Sequence, residues 1–104
     1  MSGHRCVTVS LWPLFRLGQV CATPAALKSL EAGGVDPITL LARHVRLDGG
    51  DLCDEDQEQN RVAVQQGLRV FSSYRVGTGL AEERVWCITE WNRSLTTILT
   101  PDDY

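Results

Sequence analysis

The chain has 104 residues, of which 43% are hydrophobic and 22% charged, and its formal net charge is −3. This size and composition predict a single soluble domain spanning residues 1–104. The arginines are spread along a weakly acidic chain, which argues against direct nucleic-acid binding, because that function needs a concentrated basic face. No stretch reaches the ~18 apolar residues of a membrane span, so we expect no membrane contact.

The beginning of the chain is predicted to be extended. Residues 1–15 contain the loosely alternating run "RCVTVSLW", closed by Pro13, and are interpreted as an extended N-terminal arm of uncertain path. Residues 16–22 are short and apolar enough for a further extended or edge segment. The cysteines form no CxxC pair, which argues against a zinc knuckle. Their even number is compatible with two disulfides, but nothing points to secretion and most of them have apolar neighbours, so we expect free, mostly buried thiols at Cys6, Cys21, Cys53 and Cys87.

Two short helices are predicted next. Thr23 followed by Pro24 is typical of a helix start, and good helix formers continue up to a glycine pair, which predicts a helix over residues 24–32. The same signal recurs at Asp36 and predicts a second helix over residues 37–45. The apolar residues of the second helix share one face at helical spacing: Ile38, Leu41, Ala42 and Val45.

The acidic stretch "LDGGDLCDEDQEQN" at residues 47–60 raises the question of a metal site. It fails the calcium-loop template, because counting from Asp48 puts Cys53 where a glycine is needed and Gln59 where a glutamate is needed. A looser metal, acid–base or thiol site remains as an alternative, and it would use His44, Asp48, Asp51 and Cys53.

The main interpretation of this stretch is structural. Gly49 and Gly50 predict a turn, and a third helix is expected to begin near Asp51 or Asp54 and to end at Gly67. A glutamine three residues after Asp54 completes a capping-box pattern. Acidic residues in the first turn also complement the helix dipole, so we expect neither a metal nor a cofactor here.

Asn60 is an anomaly within the third helix. It falls among the apolar positions of that helix and the following segment, namely Cys53, Val64, Leu68 and Phe71. A buried amide needs hydrogen-bond partners, and we expect backbone groups of the glycine turn or of the sheet to supply them. Asn60 is therefore predicted to be a structural residue.

After residue 67 the pattern changes to strands. The runs "LRVFSSYRV", "RVWCITE" and "SLTTILT" are rich in β-branched and aromatic residues and are separated by turn signals. They predict three antiparallel strands in a meander that ends at Pro101. The predicted fold is α+β, with N-terminal helices packed on one face of a three-stranded antiparallel β-meander.

Both faces of this predicted sheet carry apolar groups, which is typical of a sheet that packs on helices and also meets a partner or a second copy. Trp91 at a hairpin tip beside Arg93 has the composition of an interaction hot spot. The alternative is that Trp91 folds back over the sheet as a lid. The predicted contact residues are Trp91, Arg93, Tyr74 and Arg75.

Three stretches resemble a family of small uncharacterised bacterial proteins found mainly on plasmids and integrative elements. They are "LGQVCATPAALKSLEAGG" at 17–34, "LLARHVRLDGGDLCDEDQEQN" at 40–60 and "SSYRVGTGLAEERVWCITEWNRSLTTILTPDDY" at 72–104. None of them is a catalytic signature. The chain departs from the family pattern at the Gly49–Gly50 turn, which lacks a tryptophan, and at Trp91, which replaces a small residue.

The resemblance implies a mobile-element protein in a bacterial cytoplasm. Together with the residues above, it predicts a non-enzymatic protein that acts by protein–protein interaction, in the manner of small inhibitors of host defence systems such as CRISPR or restriction. A homodimer is a further option. Two alternatives stay open: a metal-dependent or thiol enzyme or binder using region 44–56, and a nucleic-acid-binding accessory protein whose arginines gather on one face.

Overall fold

The computed structural model describes residues 13–77 and 83–104, so most of the predicted N-terminal arm and Cys6 lie outside the described residues. In chain order the elements are β1 (Gln19–Ala22), α1 (Pro24–Gly33), α2 (Pro37–His44), α3 (Asp54–Gln66), β2 (Val70–Arg75), β3 (Arg84–Thr89), β4 (Leu95–Leu99) and a 3-10 turn (Pro101–Asp103). The α+β class is as predicted.

The sheet has four strands in the order β1–β4–β3–β2. Strand β3 pairs antiparallel with both β2 and β4, which is the predicted meander. The predicted sheet nevertheless lacked one strand, because β1 joins β4 in parallel, with Gln19 opposite Leu95. Two parallel strands so far apart in sequence are not joined by a hairpin turn, so no local signal predicts that they pair. The sequence therefore indicated only an extended segment at β1.

Helices α1 and α2 begin where their capping residues predict. The Thr23 side chain accepts a hydrogen bond from Ala26 N at 3.1 Å, and Asp36 Oδ1 accepts one from Ile38 N at 2.9 Å. Helix α1 ends at Gly34, whose φ of 66° is the left-handed conformation that glycine adopts readily.

The start of α3 differs from the prediction. Its N-cap is Cys53, which makes no side-chain capping bond, so the capping box predicted at Asp54 is wrong. Gln57 instead reaches back to the preceding loop, where Nε2 donates to Leu52 O at 3.2 Å. The acidic residues still occupy the first helical turn, and the helix ends at Gly67 as predicted.

One face of the sheet, which we call the inner face, forms the main core. The residues that it contributes are Tyr74, Val85, Cys87 and Ile98 of the strands and Val76 just after β2. Buried residues of α1 and α2 pack against them, chiefly Leu30 and Leu40. A second cluster joins Ala63 of α3 to Val70 and Phe15. The helices therefore cover the inner face, in agreement with the predicted layering.

The buried side of α2 only partly coincides with the predicted one, of which Leu41 packs against the main core. Leu40 and His44, one turn apart, are its buried residues, whereas Ile38 on the predicted apolar face is 70% exposed. Spacing along a helix shows which residues share a face, but not which of two candidate faces meets the sheet.

The outer edge of β2 is covered by the Gly49–Gly50 turn. Ser73 N donates to Gly49 O at 3.1 Å, and Asp51 N donates to Ser73 O at 2.7 Å, around an isolated parallel bridge between Gly50 and Ser73. Gly50 has a φ of 70°, and a Cβ on it would lie 2.2 Å from Ser73 O. Only glycine fits this approach, and the turn leaves fewer unpaired groups on the strand edge.

Candidate functional site

The second face of the sheet, which we call the open face, lies opposite the helices. Strand alternation and register place five apolar residues on it: Phe71, Trp86, Ile88, Leu95 and Leu99. Ile88 and Leu99 are shielded by their neighbours, while Phe71, Trp86 and Leu95 are half-buried. Tyr104, at 69% exposure, reaches this face from the end of the chain.

Four side chains on the open face form a stacked row, which we call the aromatic ladder. The ring centroids of Phe71 and Trp86 are 5.0 Å apart, and those of Trp86 and Tyr104 are 5.7 Å apart, both edge-to-face. The Arg69 guanidinium lies 5.8 Å from the Tyr104 centroid, and its Nη1 donates to the Tyr104 hydroxyl at 3.1 Å. Edge-to-face and cation–π contacts of this kind hold the rings in fixed orientations.

The C-terminal residues are fixed to the body of the molecule, which positions Tyr104. Asp103 Oδ2 accepts hydrogen bonds from Thr23 Oγ1 at 2.6 Å and from Thr100 N at 3.0 Å. These bonds lower the pKa of Asp103, because they stabilise its ionised form. The last turn of the chain is thereby tied to the start of α1.

Hollows and ion pairs surround the aromatic ladder. A hollow of about 260 Å³ is lined by Arg69, Phe71, Trp86, Ile88 and Tyr104, and a second of about 460 Å³ continues past Phe71 and Trp86 towards Cys53. Arg69 pairs with Glu90 at 3.5 Å, and Arg84 pairs with Asp51 at 3.1 Å. An apolar centre with a charged rim has the anatomy of a protein–protein interface.

The predicted contact residue Trp91 lies in the turn between β3 and β4. Its side chain is 65% exposed, so it does not form the lid over the sheet that was the alternative expectation. The Trp91 side chain remains accessible to a partner, and it follows Glu90, which forms part of the charged rim.

Arg93, in the same turn, forms its contacts within the molecule. Its Nη1 donates to Leu68 O and to Glu90 O, and its Nη2 donates to Ala63 O at 3.0 Å. The guanidinium also lies 5.5 Å from the centroid of the Phe15 ring. Arg93 therefore binds the C-terminal end of α3 to the hairpin, and a partner would have to compete with these bonds.

Tyr74 and Arg75, the other two predicted contacts, lie on opposite faces of β2. Tyr74 is 1% exposed on the inner face, and its hydroxyl donates to Asp48 O at 2.6 Å, so it is a core residue that a partner cannot reach. Strand alternation explains this, since Tyr74 shares the face of Val76. Arg75 is exposed at the end of the strand, opposite Arg84.

His44, the histidine of the alternative metal or acid–base site, lies in a buried polar network. Its Nδ1 is 2.6 Å from Ser72 Oγ, and its Nε2 is 2.9 Å from Thr89 Oγ1. Thr89 Oγ1 is 2.7 Å from Thr96 Oγ1, which donates to Leu17 O at 2.7 Å. The network connects α2 to three strands and to the segment before β1.

The proton positions in this network follow from its last bond. The carbonyl of Leu17 can only accept, so Thr96 uses its hydroxyl proton there and must accept from Thr89. Thr89 then has no proton for the ring, so His44 Nε2 donates to it. The remaining nitrogen, Nδ1 of a neutral imidazole, accepts from Ser72.

The Ser72–His44 contact has the geometry of a nucleophile and its base, which the sequence did not suggest across 28 positions. Both residues are 0% exposed, however, so no substrate reaches them. Burial, with a smaller contribution from Arg93, lowers the pKa of His44 to about 4. We conclude that this pair stabilises the core.

The remaining members of the alternative site have separate partners. Arg43 Nε binds Asp48 Oδ2 at 2.7 Å, and this bond lowers the pKa of Asp48, while Asp51 pairs with Arg84. Cys53 is exposed at the N-cap of α3. Within residues 13–77 and 83–104, no three His, Cys, Asp or Glu side chains come together as a metal-binding group.

Several arginines are paired with acidic side chains, which bears on the nucleic-acid alternative. Each pair offsets positive charge locally: Arg43 with Asp48, Arg61 with Glu58, Arg69 with Glu90, and Arg84 with Asp51. These pairs therefore do not support the concentrated basic face that nucleic-acid binding requires.

The structural residue Asn60 is 4% exposed, and both of its amide atoms bind the backbone of Phe71. Of the two partners expected for it, the sheet rather than the glycine turn is the one it binds.

Sequence reasoning named none of the four members of the aromatic ladder as a contact residue: Arg69, Phe71, Trp86 and Tyr104. Alternation groups Trp86 with Ile88 within β3, but the register between β2 and β3, with Ser73 opposite Trp86, is needed to place Trp86 on the same face as Phe71. The return of the C-terminus over the sheet has no local sequence pattern.

Comparisons of the chain with protein-family models, with curated proteins and with solved structures found no match. Among the helices of the described residues, none has the length and apolarity needed to cross a membrane.

Proposed function

We propose that the chain is a non-enzymatic binding protein that docks a protein partner on its open face, with the aromatic ladder at the centre of the contact. The observation that carries this proposal is the row of Phe71, Trp86, Tyr104 and Arg69 on the side of the sheet opposite the helices. Tryptophan, tyrosine and arginine are the residues that most often dominate binding energy at interfaces.

The rigidity of this face supports the same function. Phe71, Trp86 and Ile88 stand on paired strands, and Tyr104 is held through the bonds of Asp103. Side chains that are already ordered lose little conformational entropy when a partner docks, so more of the contact energy appears as affinity.

The mixed charge of the rim favours a folded protein over a nucleic acid as the partner. Arg69 with Glu90 and Arg84 with Asp51 present both signs at the edges of the ladder. We further propose that the partner is a component of a bacterial defence system and that the chain inhibits it in the cytoplasm. This finer proposal rests on the sequence resemblance to mobile-element proteins.

The test is affinity capture of proteins from extracts of the native host. Three forms of the chain serve as bait: the wild type, Trp86→Ala and Tyr104→Ala. We expect a discrete protein retained by the wild type and lost with both variants. Tyr104 is exposed at the end of the chain, so its truncation should leave the fold intact even if Trp86→Ala destabilises it.

The matched control is Leu27→Ala, which removes an exposed side chain from α1, on the helical side of the sheet. It should retain the captured protein, and thermal melting should show that each variant is folded. Equal capture by wild type and Tyr104→Ala, with both folded, would overturn the proposed docking face.

The inhibitor proposal has its own assay. Cells with an active restriction or CRISPR system should accept a targeted plasmid more efficiently when they express the wild-type chain than when they express Tyr104→Ala. No difference from an empty vector would contradict defence inhibition while leaving the docking face testable by capture.

A further inference from the structure

A groove lies on the helical side of the molecule, between α2 and residues 13–18. Its volume is about 650 Å³, which falls within the usual range of small-molecule sites. One wall is the apolar stripe of α2, and the other comes from the segment before β1: Ile38, Leu41, Ala42 and Val45 face Phe15 and Leu17. This groove is separate from the open face, because α2 packs against the inner face.

The α2 wall is a helical stripe that the core uses only in part, through Leu41, which is half-buried against the main core. Helix α2 packs against the sheet through Leu40 and His44, which leaves Ile38 70% exposed and Ala42 exposed one turn further on. An apolar stripe of this kind gains free energy when an apolar group covers it.

The charges of the groove are of one sign. Arg16 and Arg93 line it, and no aspartate or glutamate is among the described residues that do so. Within the described part of the chain, the hydrogen bonds of Arg93 go to the neutral carbonyls of Ala63, Leu68 and Glu90. Burial lowers the pKa of Arg93, as expected for a guanidinium that has lost water without gaining a carboxylate.

We infer that this groove binds a small amphipathic carboxylic acid, a medium-chain fatty acid. Its tail lies along the stripe from Ile38 to Val45 and against Phe15, and its carboxylate meets the guanidinium groups of Arg16 and Arg93. A carboxylate supplies the negative charge that the lining lacks, and an alkyl tail covers the apolar wall without leaving a polar group unpaired.

The test is titration calorimetry on the full chain with sodium decanoate, decanol and decyltrimethylammonium, three probes with the same tail. We expect saturable binding of decanoate to one site per chain, weaker binding of decanol and the weakest binding of the cation. Methyl NMR shifts should follow decanoate binding at Ile38 and Val45, and those of Ile88 on the open face should stay unchanged.

Two variants test the wall and the charge separately. Ala42→Trp fills the groove from an exposed helical position and should abolish binding, whereas Ala32→Trp on α1 is exposed outside the groove and should not. Arg16→Gln should weaken decanoate binding roughly two- to fivefold, as for one exposed charge pair, and leave decanol unaffected.

Three results would overturn the inference. One is the absence of saturable decanoate binding. Another is equal affinity for decanoate and decyltrimethylammonium, and the third is unchanged binding by a folded Ala42→Trp variant. None of these results bears on partner capture by the open face.

Discussion

Asn60 holds Phe71 through both of its backbone groups. Asn60 Nδ2 donates to Phe71 O at 2.6 Å, and Phe71 N donates to Asn60 Oδ1 at 3.1 Å. The amide of one helical residue thus replaces a neighbouring strand at the outer edge of β2. The same bonds fix the backbone from which Phe71 projects onto the open face, so a stability element and the proposed docking face share one residue.

Replacing Asn60 should destabilise the fold. Asn60→Ala removes both bonds and leaves the Phe71 N–H and C=O without their partner, so we expect a loss of about 1 to 3 kcal/mol. The measurement is urea unfolding followed by tryptophan fluorescence. Gln59→Ala, on the neighbouring exposed position, is the control. An Asn60→Ala midpoint equal to that of Gln59→Ala would contradict the role of this pair.

Gly50 and Gly34 offer a matched test of the close approach at the β2 edge. Both have a positive φ, 70° and 66°, but a Cβ at Gly50 would meet Ser73 O at 2.2 Å, while none of the heavy atoms considered lies within 4 Å of a Cβ at Gly34. Gly34→Ala should therefore cost only the backbone strain, about 1 kcal/mol. Gly50→Ala should cost about 3 kcal/mol or more, because the turn must also move away from the strand.

The measurement is the free energy of unfolding of Gly34→Ala and of Gly50→Ala. Similar losses for Gly34→Ala and Gly50→Ala would show that the turn does not depend on contact with Ser73.

His44 should make stability depend on pH. Its pKa falls from 6.5 to about 4 in the folded protein because of burial, so the unfolded state binds a proton first as the pH drops. Above pH 6.5 the folded state therefore has the full stabilisation that neutral His44 provides. This stabilisation is lost as the pH falls towards 4, and little more is lost below pH 4. The loss from this residue is at most about 3 kcal/mol.

His44→Gln tests this dependence, since glutamine does not titrate. The variant should be less stable at neutral pH, because the hydroxyls of Ser72 and Thr89 lose their partner geometry, but its stability should be flatter between pH 4 and 6.5. Parallel pH profiles for wild type and variant would rule out His44 as the source.

Arg93 should contribute to stability through hydrogen bonds rather than ion pairs. Arg93→Ala removes donors from the carbonyls of Ala63, Leu68 and Glu90, and we expect a loss of about 1 to 2 kcal/mol. Thermal unfolding at low and high salt measures it, and the loss should change little with salt. Arg61→Ala, which breaks only an exposed pair with Glu58, should have almost no effect.

Local signals explain which parts of the fold the sequence predicts. The capping residues Thr23 and Asp36 and the terminal Gly67 set helix bounds within one residue of those observed. The three antiparallel strands β2, β3 and β4 lie where runs of β-branched and aromatic residues predicted them. These features depend on neighbours in the chain, so composition and spacing are sufficient to find them.

The features that the sequence did not predict depend on distant contacts. The parallel pairing of β1, the burial of His44 beside Ser72 and the return of Tyr104 over Trp86 each join parts of the chain with no shared local pattern. Tyr74 shows the same limit, since it was predicted to contact a partner but its full burial depends on how the helices pack.

Site-specific crosslinking from the open face tests the central claim most directly. A benzoylphenylalanine in place of Tyr104 is irradiated in the native host, with the same group in place of Leu27 on α1 as the reference. We expect one discrete adduct from position 104 that disappears when Trp86→Ala is added, and none from position 27. Equal adducts from both positions, or none from position 104, would contradict a partner-binding role for the open face.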